Sequence, residues 1–182
     1  MILFRCFAWN RRARPSGTDG PLWFPRAYQG EGRHDNPDVY GCLYLADNPV
    51  STVVEQLARF RGQRLVAGML HRRRLPLAIA ELELDERETL IDLDDPAELL
   101  RRGLRPSVVA TRRREVTQPQ ALELHRSGRD AGLRWWSTYE ALWANVTVFD
   151  RAARGLSVIG VRALSVDDPN VAEAAELLGV AA

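Results

Sequence analysis

Lysine is absent from this chain of 182 residues, and all 25 of its Lys/Arg side chains are arginine. The protein therefore has no lysine for a Schiff base or for general-base catalysis. Its arginine guanidinium groups are planar and present forked N–H donors that suit phosphate oxygens. The formal net charge is only +1, which gives the whole chain little attraction for nucleic acid. We expect no direct nucleic-acid binding and interpret the arginine runs 72–74 and 112–114 as solvated surface.

Cysteines, metal-ligand patterns and long apolar runs are also scarce. Cys6 and Cys42 have no metal-ligand spacing and do not imply an oxidising compartment. The three histidines lie far apart in the sequence, so we expect no metal site. No apolar run approaches the length of about 18 residues that a membrane span needs. The first apolar stretch precedes its arginines, the reverse of a secretory signal, so we expect a cytoplasmic protein with no membrane partner.

The composition, with 46% hydrophobic and 27% charged residues, is typical of a globular protein. The length predicts one domain, 1–182. The sequence contains no P-loop, no G-x-G-x-x-G after a strand, no H-E-x-x-H and no G-x-S-x-G. The absence of these common nucleotide-binding, zinc-protease and serine-hydrolase motifs means that none of them indicates the function.

Apolar alternation and helix caps predict an irregular succession of elements. Apolar runs or alternation indicate strands at 2–8, 42–46, 75–84, 89–93, 133–136, 146–149 and 156–166. Helices are expected after Asn48-Pro49, Asp95-Pro96 and Asp168-Pro169, over 117–126, and after a cap at Ser107. Residues 10–41 form a long polar loop, a length that is often functional. Without a regular βαβ rhythm, the pattern favours an α+β domain, or an irregular α/β one.

Several segments, taken together, resemble the RES domain family, whose name records an Arg, a Glu and a Ser. GRHD at 32–35 and YGCLYLA at 40–46 are similar to the family's Gly-Arg turn and its following strand. VVEQL at 53–57 resembles the helix that carries the family Glu. AGLRWWS at 131–137, with NVTVF at 145–149, resembles the strand that ends in the family Ser and the next strand. With Phe4-Arg5, the resemblance runs from about residue 2 to 150; His34 and Trp136 depart from the usual residues.

The resemblance implies a single compact domain with a mixed, twisted sheet and flanking helices, similar to ADP-ribosyltransferase toxins. It implies an enzyme that cleaves the nicotinamide–ribose bond of NAD, and a toxin held inactive by an Xre-type antitoxin. No cofactor is implied, because NAD is the substrate and inorganic phosphate the expected co-substrate. The expected products are nicotinamide and ADP-ribose-1″-phosphate. Hydrolysis of NAD, ADP-ribose transfer to a protein, and a degenerate member that only binds a partner remain alternatives.

The resemblance assigns Arg33, Glu55 and Ser137 to catalysis and Arg33, Tyr44 and Ser137 to NAD binding. A carboxylate at Glu55 would stabilise the positive charge that builds on the ribose, and Arg33 would bind phosphate oxygens. Tyr44 offers a ring face for nicotinamide and a hydroxyl for the ribose or phosphate. With no base near it in the sequence, Ser137 is a positioning group and not a nucleophile.

Each of these residues also has a plain structural interpretation. Periodicity places Glu55 on the polar side of its helix, as a solvated surface residue. Arg33 fits an ordinary loop arginine, and Tyr44 an ordinary core residue of a strand. Ser137 fits the cap of a helix over 138–143.

Overall fold

The computed structural model describes residues 1–140 and 142–180. Its strands are β1 (Ile2–Ala8), β2 (Cys42–Ala46), β3 (His71–Arg72), β4 (Leu75–Leu84), β5 (Leu90–Asp92), β6 (Gly132–Trp136), β7 (Ala144–Phe149) and β8 (Leu156–Ala163). Its α-helices are α1 (Pro49–Leu57), α2 (Pro96–Arg101), α3 (Pro106–Ala110), α4 (Arg114–Ser127) and α5 (Pro169–Leu178). The chain divides into two compact units. The expectation that residues 1–182 form one domain therefore stays a prediction.

The first unit comprises residues 1–23, 45–84 and those from 157 onward. Strand β4 lies between β1 and β3 and also pairs with β8. β4 is antiparallel to β1 along the whole length of β1, from Ile2 opposite Glu83 to Ala8 opposite Leu77. On its other side, β1 pairs with the end of β2, where Phe4 lies opposite Ala46.

Two capped helices, α1 and α5, pack against each other in the first unit. The Asn48 side chain accepts a hydrogen bond from the Val50 N–H at 2.8 Å, and Asp168 accepts one from the Asn170 N–H at 3.0 Å. Each cap is followed by a proline at the first helical position, where its fixed φ favours the helix. The buried hydrophobic side chains of the two helices are Val50, Val53, Val54, Leu57, Val171, Ala174, Ala175 and Leu178.

The second unit comprises residues 24–44 and 85–156, and it contains all the residues of the cleft described below. Its strands are ordered β2-β7-β6-β5. β6 is antiparallel to β7 and parallel to β5, with Gly132 opposite both Val148 and Leu90. Parallel and antiparallel pairs therefore occur together, and the predicted α+β fold with a mixed sheet is confirmed.

A buried apolar cluster fills the second unit and supports β6. Its members are Tyr40, Cys42, Ile91, Leu93, Leu99, Val109, Ala121, Leu124, Leu133, Trp135 and Phe149. Burial of this much apolar surface, at about 25 cal/mol per Å², is the main term that stabilises such a unit. It gives the end of β6 a rigid base for the residues that follow the strand.

Two expected details of the helices were wrong. Ser107 is not a cap: it is the second residue of α3, and Arg105 occupies the cap position, because Pro106 begins the helix. The segment 138–143 contains bends and a turn at its described positions instead of a helix, and Ala141 lies outside the described residues. Its ends close on each other, since the Ser137 N–H donates to the Trp143 carbonyl at 2.8 Å.

Two expected boundaries also shift by three residues. β8 ends at Ala163 and not at 166, because the chain turns before α5 and the Asp168 N–H donates to the Ser165 carbonyl. Helix α4 begins at Arg114 and not at 117. Its extra turn is held by the Arg113 carbonyl, which accepts from the N–H groups of Val116 and Thr117.

Candidate functional site

The buried carboxylate of Asp35 organises the turn that carries Arg33. Its Oδ2 accepts hydrogen bonds from the N–H groups of Gly30 at 2.8 Å and Gly32 at 2.7 Å. Its Oδ1 accepts from the Tyr44 hydroxyl at 2.7 Å. Burial alone would raise the pKa of Asp35, but the hydrogen bonds from Gly30, Tyr44 and Gly32 lower it below its ordinary value. Asp35 is therefore an ionised anchor for the turn.

Two glycines allow the backbone to wrap around this carboxylate. Gly30 has a φ of +145°, a backbone conformation that residues other than glycine rarely adopt. At Gly32 a Cβ atom would lie 2.4 Å from the Tyr44 hydroxyl and 2.6 Å from Asp35 Oδ1. A side chain at position 32 would therefore push apart the hydrogen bond between these two groups.

Arg33 is held in one orientation by three contacts. Its Nη1 donates to the carbonyls of Val109 at 2.9 Å and Thr111 at 2.6 Å. Its Cζ lies 4.6 Å from the centre of a Trp135 ring, a favourable cation–π distance. The Arg33 backbone carbonyl also accepts from the Thr117 hydroxyl at 2.6 Å. Arg33 thus links its turn to the segment between α3 and α4, in addition to any role with a ligand.

The Tyr44 hydroxyl belongs to the same network. It donates to Asp35 and accepts from the His34 N–H at 2.9 Å. Burial raises its pKa well above the ordinary value, so the hydroxyl stays protonated and remains a donor. The hydroxyl predicted to contact a ribose or phosphate is thus already engaged within the protein, where it supports the Arg33 turn.

His34, one of the two departures from the family pattern, is buried and packs against an aromatic side chain. Its ring meets Trp135 edge-on, with centroids 5.4 Å apart, and its Nδ1 lies 2.8 Å from the Thr147 hydroxyl oxygen. Burial, with Arg33 as the second cause, lowers its pKa to about 3. A neutral His34 therefore keeps an aromatic contact and fits this position as a structural residue.

Ser137 follows β6 directly and lines an open cleft of about 520 Å³. The side chain is buried, and its Oγ accepts a hydrogen bond from the Tyr139 N–H at 3.2 Å. In the described part of the chain no group accepts its hydroxyl proton, which leaves that proton for a ligand. The residues that line the cleft are Asp94, Pro96, Leu99, Pro106, Trp136, Ser137, Thr138, Tyr139 and Glu140.

Two carboxylates, neither of them predicted from the sequence as a site residue, line this cleft. Asp94 accepts from Arg134 Nη1 at 3.3 Å and shares that guanidinium with Asp92. Glu140 accepts from the Leu142 N–H at 3.4 Å. No base was expected near Ser137, yet Glu140 comes only three residues later and lines the same cleft.

The four predicted site residues fall in both units. Arg33, Tyr44 and Ser137 belong to the second unit, and Arg33 and Tyr44 share one hydrogen-bond network through the turn. Glu55 belongs to the first unit, on the exposed side of α1. Its assignment to catalysis stays a prediction.

Asp35 is the residue that sequence reasoning passed over. A detectable signal existed: two glycines at alternate positions, 30 and 32, precede an Asp. Backbone N–H groups that converge in a glycine-containing turn can bind an anion, here the Asp35 carboxylate.

Among residues 1–140 and 142–180 there is no group of three His, Cys, Asp or Glu side chains placed to hold a metal ion. In the same residues, every helix is too short or too polar to cross a bilayer.

Comparison with known proteins identifies the family. The RES domain matches residues 3–168. The fold is similar to a chain in the crystal structure of the M. tuberculosis MbcT–MbcA toxin–antitoxin complex, with a TM-score of 0.67 and 17% sequence identity. That similarity covers 98% of this chain and 89% of the other. No curated protein matches the sequence. The match to the RES domain spans most of the chain, which therefore belongs to the RES domain family.

Proposed function

We propose that this protein is the toxin of a toxin–antitoxin system and that it degrades NAD by cleaving the nicotinamide–ribose bond. The observation that carries the proposal is membership of the RES domain family together with an Arg, a Tyr, a Glu and a Ser in the expected order. These are Arg33, Tyr44, Glu55 and Ser137. The cleft that Ser137 lines adds support, because its aromatic side chains suit a flat ring.

The chemistry asks for few groups. As the bond from ribose C1″ to the nicotinamide nitrogen breaks, its electron pair leaves with nicotinamide and positive charge builds on the ribose. The proposed carboxylate is Glu55, which would stabilise that charge electrostatically. The Ser137 hydroxyl has a proton to donate to the substrate. It is not assigned as a nucleophile, because in the described part of the chain no base accepts its proton and activates its Oγ.

The proposed acceptor is inorganic phosphate, whose oxygen bonds to ribose C1″ and gives ADP-ribose-1″-phosphate. Guanidinium groups bind such an anion well, and all 25 Lys/Arg side chains are arginines. Water as the acceptor would need activation by a base. A protein side chain as the acceptor would make the enzyme an ADP-ribosyltransferase.

We expect purified protein to consume NAD faster with phosphate than without it, since an anionic nucleophile suits an arginine-rich protein. The measurement is the initial rate of NAD loss in phosphate and in phosphate-free buffer, with products identified by mass. Equal rates with free ADP-ribose as product would make the enzyme a glycohydrolase. Absence of NAD loss in both buffers would contradict the enzymatic proposal and favour a binding role.

The proposed partner is an antitoxin of the Xre type, and the proposed compartment is the cytoplasm. The partner rests on the family and on the similar fold in the MbcT–MbcA complex. Both cysteines are free and buried. Burial raises the pKa of Cys6 to about 12, so this thiol stays protonated near neutral pH.

Expression of the protein alone is expected to lower cellular NAD and stop growth, because NAD turnover supports central metabolism. Co-expression with an Xre-like protein encoded next to its gene should restore both. The measurements are colony counts and NAD content after induction, with soluble protein verified. Normal NAD in induced cells, or growth arrest that no neighbouring gene relieves, would contradict the corresponding half of the proposal.

A further inference from the structure

Arg112 belongs to an arginine run that the sequence marks as solvated surface, but its surroundings differ from those of the other two members. Arg113 pairs with Glu115 at 2.7 Å, and Arg114 pairs with Glu31. Within the described part of the chain, no carboxylate lies within 4.0 Å of the Arg112 guanidinium. Its charge is therefore not balanced by a neighbouring side chain.

The Arg112 guanidinium lies at the rim of the Ser137 cleft. Its Nη2 donates to the Thr138 hydroxyl at 3.2 Å, and its Cζ lies 5.9 Å from the centre of the Tyr139 ring. Thr138 and Tyr139 both line the cleft. The guanidinium has five donors, and these two contacts engage few of them.

The backbone that carries Arg112 is fixed by Arg33. The two carbonyls that accept from Arg33 Nη1 are those of Val109 and Thr111, and Thr111 directly precedes Arg112. Arg33 thereby holds the segment in place from a turn that Asp35 anchors. A cation placed in this way loses less conformational freedom when it binds a ligand.

The charges around the cleft are divided in space. Asp94 and Glu140 line it together with the aromatic side chains of Trp136 and Tyr139, whereas Arg112 lies at its rim. NAD has the matching division, since its nicotinamide ring is cationic and its diphosphate is anionic. The pattern fits a ligand whose cationic ring enters the cleft while its phosphate oxygens stay at the rim.

We infer that Arg112 binds a phosphate oxyanion at the rim of the Ser137 cleft: the diphosphate of the dinucleotide or the inorganic phosphate co-substrate. This inference rests on the proposed function and extends it to a residue outside the RES signature. A guanidinium engages two phosphate oxygens through a planar fork of parallel N–H donors, a geometry that an ammonium does not offer. Arg33 is on this view a positioning residue for Arg112 as well as a candidate ligand-binding residue.

The test compares Arg112→Gln and Arg112→Lys with Arg113→Gln, a neighbouring variant with the same change of charge. Initial rates of NAD loss are measured against NAD concentration at fixed phosphate, and against phosphate concentration at fixed NAD. Arg112→Gln should raise one of the two KM values about tenfold to a hundredfold, as expected for a lost hydrogen bond to a charged group. Arg112→Lys should recover only part of that loss, and Arg113→Gln should leave both KM values unchanged.

The two arms separate the sources of the oxyanion. A raised KM for NAD assigns the diphosphate, and a raised KM for phosphate assigns the co-substrate. If Arg112→Gln and Arg112→Lys behave like Arg113→Gln in both arms, the inference is overturned. Thermal unfolding of each variant verifies that it is folded. If Arg112→Gln does not fold, Arg112→Lys provides the test in its place.

Direct binding keeps this test distinct from the proposed function. Binding of ADP-ribose and of pyrophosphate to the full chain is measured by calorimetry, without turnover. If wild-type protein leaves NAD intact but binds either probe in a way that depends on Arg112, the enzymatic proposal fails and the oxyanion site stands. Equal binding by wild type and Arg112→Gln would overturn the site even in an active enzyme.

Discussion

Replacement of Glu55 by glutamine is expected to lower the turnover of NAD about a hundredfold to a thousandfold, the usual cost of losing one preorganised electrostatic contact. The substitution keeps the size of the side chain and removes only its charge. Because the ribose carries positive charge in the transition state and not in the bound substrate, the loss should appear in kcat more than in KM. Initial rates over a range of NAD concentrations provide the measurement.

Two further variants make this result specific. Glu173→Gln changes an exposed glutamate on α5, another helix of the same unit, and should leave both turnover and stability unchanged. Glu55→Gln itself should unfold within about 0.5 kcal/mol of wild type, as is usual for a surface position. Unchanged turnover in Glu55→Gln would remove Glu55 from the site. A large loss in Glu140→Gln instead would place the carboxylate in the Ser137 cleft.

Asp35→Asn is expected to destabilise the second unit by about 3 kcal/mol or more near neutral pH, since hydrogen bonds to a charged group contribute about 1.5–3 kcal/mol each. Asparagine keeps only one acceptor oxygen. If that oxygen faces Gly30 and Gly32, the amide N–H₂ faces the donating Tyr44 hydroxyl; in the opposite orientation it faces both glycine N–H groups, so hydrogen bonds are lost either way. Urea unfolding of wild type and variant measures the difference. The matched control is Asp38→Asn, an exposed aspartate in the same loop, for which no such loss is expected.

The pH dependence of this difference follows from the lowered pKa of Asp35. A carboxyl group whose pKa is lowered on folding contributes its full stability above its unfolded pKa of about 4, and that stability is lost as the pH falls through the folded value. The gap between wild type and Asp35→Asn should therefore be constant from about pH 7 to pH 5.5 and narrow below pH 4. A gap that does not change down to pH 2 would show that Asp35 is not held as a carboxylate.

Features that depend on neighbouring residues were predictable from the sequence. The bounds of β1 and β2 were predicted correctly, because apolar alternation and breakers such as Gly41 are local. The caps at Asn48 and Asp168 were also correct, since the capping side chain lies next to the helix it caps. The family resemblance also correctly predicted membership of the RES domain family.

Contacts between distant residues could not be predicted in this way. The partners of Arg33 are 76 and 78 residues further along the chain, and no local pattern marks a backbone carbonyl as an acceptor. Thr117 and Gln118 of α4 likewise bond to the Gly30–Arg33 turn, 84 and 88 residues earlier in the chain. Arg112 and Arg113 are adjacent arginines that the sequence does not distinguish, and they differ only in the side chains that each one contacts.

The close approach at Gly32 has an evolutionary consequence. A Cβ atom there would meet the Tyr44 hydroxyl and the Asp35 carboxylate, so the three positions share one constraint and their substitutions are not additive. Loss of Tyr44 or Asp35 would open space at position 32 and remove the selection against larger residues. In diverging relatives these positions should therefore change together, and a glycine retained at position 32 would reflect coupling to positions 35 and 44 and not contact with a substrate.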